Sequence, residues 1–186
     1  MKPSPLELRW IRYSEASYKS PEEIEQSGAP ARVRLVDATV RFVEDGSHLA
    51  IMRIANEESA GPGDYNFDVE VVAVFGLNAT LARTVYKAAN TAGLVPVVAV
   101  NMSRILFASA REFLTMITAR APGPALVLDS VLLEPKDIEI ASDLSPPDML
   151  SKVFGAPEAE VAEFRERWET ALGDEPLGPE ATGAAG

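Results

Sequence analysis

The 186-residue chain contains no cysteine, which excludes disulfides, thiol nucleophiles and thiolate metal sites and fits a reducing compartment. Histidine is nearly as scarce. His48 stands alone, at the start of an expected strand with no patterned carboxylate or nucleophile near it in sequence, and reads as a structural or surface residue rather than a catalytic base or ligand. Basic residues are in deficit, 17 Lys and Arg against 28 Asp and Glu. The formal charge is -11 and the pI near 4.6, the wrong sign for gripping phosphate backbones, so nucleic acid is not an expected partner. Long apolar runs are missing too. The longest, Ala92 to Val100, is interrupted by Gly93 and Pro96 and is too short to cross a bilayer, so no membrane insertion is expected. No Walker-type glycine loop and no dinucleotide fingerprint occurs, and Gly61-Pro62-Gly63 reads as a turn. The acidic pairs Glu22-Glu23 and Glu57-Glu58 sit in loop-like sequence, where neighbouring charges are ordinarily solvated. No cofactor, no metal site and no catalytic residues are therefore expected. The start, Met1-Lys2-Pro3-Ser4-Pro5, leads into alternating sequence instead of an apolar h-region, so the expected location is cytoplasmic.

Apolar residues make up 47% of the chain and charged residues 24%, ordinary globular usage that supports one folded core. An acidic surface attracts basic protein segments and repels anionic membranes, or serves solubility alone. Leu6, Leu8 and Trp10 alternate with charged residues, and Ile11 and Tyr13 continue the alternation on the opposite face. This pattern predicts a strand whose apolar face switches through a bulge. Ser20 to Pro30 reads as a loop. Val33–Val43 and Leu49–Ile54 flank the turn residues Glu44-Asp45-Gly46-Ser47 and predict a hairpin, with Val36, Ala38, Val40 and Phe42 on one face. Phe67, Val69, Val71, Ala73 and Phe75 form the cleanest period-2 face. These strands, with no intervening helix long enough for a parallel crossover, predict an α+β fold built on a four-stranded antiparallel sheet with helices on one side.

Ala79–Ala92 is expected as a short helix, Leu94–Val100 as an apolar crossover, and Ser103–Arg120 as the main helix, stopped by Ala121-Pro122-Gly123-Pro124. Leu106, Ala110, Phe113 and Ile117, widened by Phe107, Leu114 and Met116, make that helix apolar over more than one face. Such a helix needs a second surface, which predicts oligomerisation. An extended segment is expected at Leu126–Leu133. Ser145-Pro146-Pro147 reads as a cap and first turn, and Pro157 opens a last helix with the stripe Val161, Phe164, Trp168 and Leu172. Residues 1–140 are expected as one domain, 141–172 as a helical extension and 173–186 as a disordered tail.

Two segments resemble the SecB family of protein-export chaperones in order and spacing. One is LELRWIRYSEASY, Leu6 to Tyr18. The other runs from Asp68 to RILFASAREFLTMITARAPGPALVLDSVLL, Arg104 to Leu133. Ile105-Leu106-Phe107 with Ala110-Arg111-Glu112 is similar to the family's Leu-Phe-Pro-Tyr-Ala-Arg motif, with Ala108-Ser109 in place of Pro-Tyr. The resemblance implies a homotetramer, a dimer of dimers joined through the first strands. It implies an ATP-independent holdase that keeps unfolded polypeptides or preproteins extended in apolar grooves, and no enzyme. The segments bordering the groove supply Trp10, Phe42, Leu94, Val95, Val97, Val98, Phe107 and Leu126. Glu15 and Asp68 match acidic positions that dock the SecA motor, with Glu70 beside them on the same strand face; Lys19 and Asn66 depart from the pattern. Divergent members also serve toxin-antitoxin systems, so SecA or an antitoxin is the expected further partner. A non-catalytic adaptor module is the reading from a different class.

Overall fold

A computed structural model describes residues 3–19, 33–56, 65–120 and 125–173. The expected loop at Ser20–Pro30, the Gly61-Pro62-Gly63 turn, the pairs Glu22-Glu23 and Glu57-Glu58, the Ala121–Pro124 stop and the tail beyond Gly173 lie outside these residues. Along the chain run β1 (Leu6–Lys19), β2 (Val33–Phe42), β3 (His48–Asn56), β4 (Asn66–Leu77), α1 (Ala79–Tyr86), α2 (Thr91–Thr118), a 3-10 turn (Pro135–Asp137), β5 (Glu139–Ser142), α3 (Pro146–Lys152) and α4 (Glu158–Gly173).

The sheet has five strands in the order β1-β4-β3-β2-β5, and it is mixed. β1 through β4 pair antiparallel, as alternation predicts, but β5 joins β2 in parallel over Thr39–Phe42. This corrects the expectation of four antiparallel strands. The long connection a parallel pair requires is supplied here by β3, β4, α1 and α2.

Strand faces follow the period-2 pattern closely. Phe67, Val69, Val71, Ala73 and Phe75 are all buried under the helices. β1 does bulge, but not where expected: register shifts against β4 fall between Leu8 and Trp10 and again between Tyr13 and Glu15, so Trp10 faces away from Leu6 and Leu8 while Ile11 and Tyr13 share their side. A shift between Leu35 and Asp37 in β2 was not expected. It turns Val36 away from the face shared by Ala38, Val40 and Phe42 and leaves it 44% exposed, because a bulge re-aims one side chain.

The largest correction concerns Leu94–Val100, which is no crossover. It is the first part of α2, a helix of 28 residues with Pro96 inside it. Asn90 caps the start by accepting from Gly93 N at 2.7 Å. Proline at this depth forfeits one backbone hydrogen bond, a cost outweighed by burial. Leu94, Val98, Met102, Leu106, Ala110, Leu114 and Thr118 form an unbroken ridge at every fourth residue, each with no exposed surface. Successive members of such a ridge rotate about 40° around the helix axis, so its burial requires partners on several sides. The sheet is one. By length and composition α2 also suffices to cross a membrane, but 56% of its apolar stretch is buried within this fold, the packing of a core helix.

Leu126–Leu133 carries only an isolated bridge at Leu128 and no regular strand. The expected domain boundary at 140/141 falls inside β5, and Met149, Leu150 and Phe154 beyond it belong to the same buried cluster as the sheet and α2. Ser145 caps α3 as anticipated, accepting from Asp148 N.

Candidate functional site

β2 offers its two edges unequally. One edge pairs with β3 from Val33 to Arg41; on the other, β5 covers only Thr39–Phe42. Among the described residues no strand pairs with Leu35–Ala38 on that side. A cleft of about 640 Å³ opens there, bounded by Leu35–Ala38 and by two stretches of the returning chain, Val131–Leu133 and Lys136–Glu139. Val36, turned outward by its bulge, lines it, as does Leu132, which is 76% exposed. Asp37, Asp137, Glu139 and Lys136 give the lining an acidic balance. A strand edge that no described strand covers, beside exposed aliphatic side chains, matches what an extended peptide requires: main-chain hydrogen bonds for affinity and apolar contacts at alternate residues.

The side chains expected to bind clients are dispersed by the fold. Phe42, Leu94, Val95, Val98, Phe107 and Leu126 are buried by this chain itself, and Val97 is half-buried. Trp10 is 43% exposed. Its register partner is Val74, whose alternation places it on the sheet face opposite the helices, and the Arg12 guanidinium lies over its ring at 5.4 Å. Sequence reasoning missed Val36 and Leu132. No sequence signal marked Val36, which is in phase with Ala38, Val40 and Phe42 and is turned outward only by the shift between Leu35 and Asp37.

The acidic residues do come together. Glu15 faces Glu70 across the β1–β4 ladder, and Glu70 faces Arg53 across β4–β3. Arg53 donates to both carboxylate oxygens of Asp68, at 2.9 and 2.7 Å. That hydrogen-bonded guanidinium holds the Asp68 carboxyl below its ordinary range, and the arginine's own pKa is raised in turn. Ser14 Oγ donates to Glu70. Arg53, unremarked in the sequence, is thus the centre of this cluster.

His48 lies in the core, 2% exposed, its Nδ1 accepting from Val43 N at 3.2 Å. The rings of Phe42 and Phe75 stand 5.4 and 5.3 Å away. Burial, aided by the Arg9 charge and opposed by Asp45, lowers its pKa to about 4. Among the described residues no group of three or more acidic or histidine side chains is placed to hold a metal ion.

No model of a protein family matches the sequence, and no curated protein does. The fold is similar to that of a solved structure. It is a Mycobacterium tuberculosis SecB-like chaperone in complex with a ChAD peptide from the HigA1 antitoxin, 16% identical, with a TM-score of 0.49, the match covering 69% of this chain and 91% of that one.

Proposed function

We propose that this chain is a polypeptide-binding chaperone subunit that holds extended segments of other proteins without covalent chemistry. The observation that carries the reading is the part of the β2 edge that no described strand covers, Leu35–Ala38, beside exposed Val36 and Leu132 in an open cleft. The sequence resemblance to SecB chaperones points the same way. Edge pairing is indifferent to sequence, and burying aliphatic side chains is non-directional, about 25 cal/mol per Å². Together they suit a binder of many unfolded segments.

The test is affinity for a permanently unfolded protein such as reduced, carboxymethylated α-lactalbumin. Val36→Asp combined with Leu132→Asp should weaken binding about tenfold or more while the circular dichroism spectrum stays unchanged, because both side chains are exposed. Unaltered affinity in that variant would place the client elsewhere.

Between general export and service to one dedicated partner such as an antitoxin, the acidic face favours the second. Asp68, one of the two matches to motor-docking positions, is engaged by Arg53 on both carboxylate oxygens, which leaves it less charge to offer an incoming partner.

A further inference from the structure

Beyond the open half of the β2 edge lies its covered half, and the occupant there is the chain's own C-terminal segment. We infer that Glu139–Gly155 is a displaceable, internal stand-in for a client, limiting how much of the β2 edge a bound segment can use. The inference rests on the polypeptide-binding reading above and concerns the regulation of that same site.

Continuity comes first. From Leu35 to Phe42 the β2 edge is one row of backbone groups, the cleft taking Leu35–Ala38 and β5 taking Thr39–Phe42. Glu139 belongs to both, pairing with Thr39 and lining the cleft. β5 is four residues long, parallel, and exposed at Glu139 and Ile140, and parallel pairing is slightly the weaker kind per residue.

The segment also engages its own fold by the two means expected of a client. After the edge strand comes a side-chain anchor: the Phe154 ring stands edge-on to Phe42 at 5.0 Å, beside the His48 and Phe75 rings that flank Phe42. The backbone carbonyls of Phe154 and Gly155 accept from Arg83 Nη2 at 3.0 and 2.8 Å. Gly155, at φ +59, then turns the chain away in a conformation that glycine adopts without strain. Strand addition followed by an anchored side chain is how extended peptides are recognised.

The polar ties are of a releasable kind. Lys152 pairs with Glu44 at 3.0 Å and Arg41 with Asp143 at 3.9 Å, all four side chains about half exposed or more, and such surface pairs hold weakly. Glu160, at the start of α4, accepts from both the backbone N–H and the hydroxyl of Thr91 at the α2 N-terminus. The larger hold is the burial of Met149, Leu150 and Phe154 in the core, so a client replaces the β5 ladder and that burial together, with a strand and several apolar side chains of its own.

A reversible lock tests this. Thr39 and Glu139 are register partners; adjacent strands lie about 4.8 Å apart, within the span of a disulfide, and the chain has no cysteine of its own. The Thr39→Cys, Glu139→Cys protein should bind reduced, carboxymethylated α-lactalbumin about tenfold more weakly when oxidised than when reduced. Glu160→Gln, which loosens the other end, should bind more tightly than the unaltered chain. Equal affinity of the oxidised and reduced forms, with both binding, would make β5 a fixed part of the sheet and overturn the inference while leaving the cleft reading intact. Binding by none of these proteins, the unaltered chain included, would overturn the cleft reading and the inference with it.

Discussion

Thr118 and Leu126 close the far end of the long helix. The Thr118 hydroxyl accepts from Leu126 N at 2.8 Å and donates to Leu114 O at 2.7 Å, while Thr115 Oγ1 donates to Leu126 O at 3.1 Å. Both backbone groups of Leu126 are thereby satisfied by side chains of α2. The chain leaving the helix is held against it, and the wall of the cleft begins from a fixed point.

Thr118→Val keeps the shape and removes the hydroxyl, leaving the buried Leu126 N–H without its acceptor. The expected loss is about 1–3 kcal/mol of unfolding free energy, measured by urea titration. A variant as stable as the parent would mean that Leu126 finds another acceptor.

His48 is neutral in the folded protein, with a pKa lowered to about 4 from an ordinary 6.5. Its contribution is fully present above pH 6.5 and is lost as pH falls from there towards 4, because the unfolded chain takes up the proton first. The cost over that window is about 3 kcal/mol. His48→Leu should flatten this part of the stability profile. An unchanged slope in the variant would assign the acid sensitivity to carboxylates instead.

The cluster around Arg53 makes a prediction of unusual sign. Arg53→Gln releases Asp68 and should strengthen salt-sensitive docking of a basic partner or of the SecA motor. Glu15→Lys with Asp68→Lys should abolish any such docking and leave client affinity alone. Motor binding that ignores both changes would remove the acidic face from consideration.

How far the sequence foretold these sites depends on what each residue answers to. The core face of β4 was legible because Phe67 to Phe75 obey a local period. The hairpin was legible from its turn residues. The first turns of α2 were misread because Gly93 and Pro96 argue locally for a break, and the ridge from Leu94 onward, satisfied by partners distant in sequence, outweighs them. β5 was missed because Glu-Ile-Ala-Ser carries no period of its own and becomes a strand only through β2. Arg53 was missed for a similar reason, since its three acidic neighbours lie on two other strands. The client residues expected from resemblance, Phe42 and Leu94 among them, were apolar in the anticipated way, but composition alone does not tell a groove from a core.

Assembly is the remaining expectation. β1 is an edge strand of 14 residues with Leu8, Trp10, Tyr13 and Tyr18 each at least 36% exposed, and long apolar edges invite pairing. Light scattering should give a mass above the 20.0 kDa of one chain, a tetramer if the SecB resemblance extends that far. Trp10→Glu with Tyr18→Glu should reduce it. A monomer at micromolar concentration would leave the β1 edge without a role in assembly.

The parallel ladder between β2 and β5 also sets a clock. Phe42 and Ser142, bonded through the serine hydroxyl, are 100 residues apart in sequence. At a synthesis rate of about 5–20 residues per second, β2, with Phe42 at its end, exists for roughly 5–20 seconds before the strand that will cover it has been made. Each newly synthesised copy thus passes through an interval in which the whole β2 edge is open, and what meets it first in that interval, its own C-terminal segment or a neighbouring nascent chain, is decided by timing.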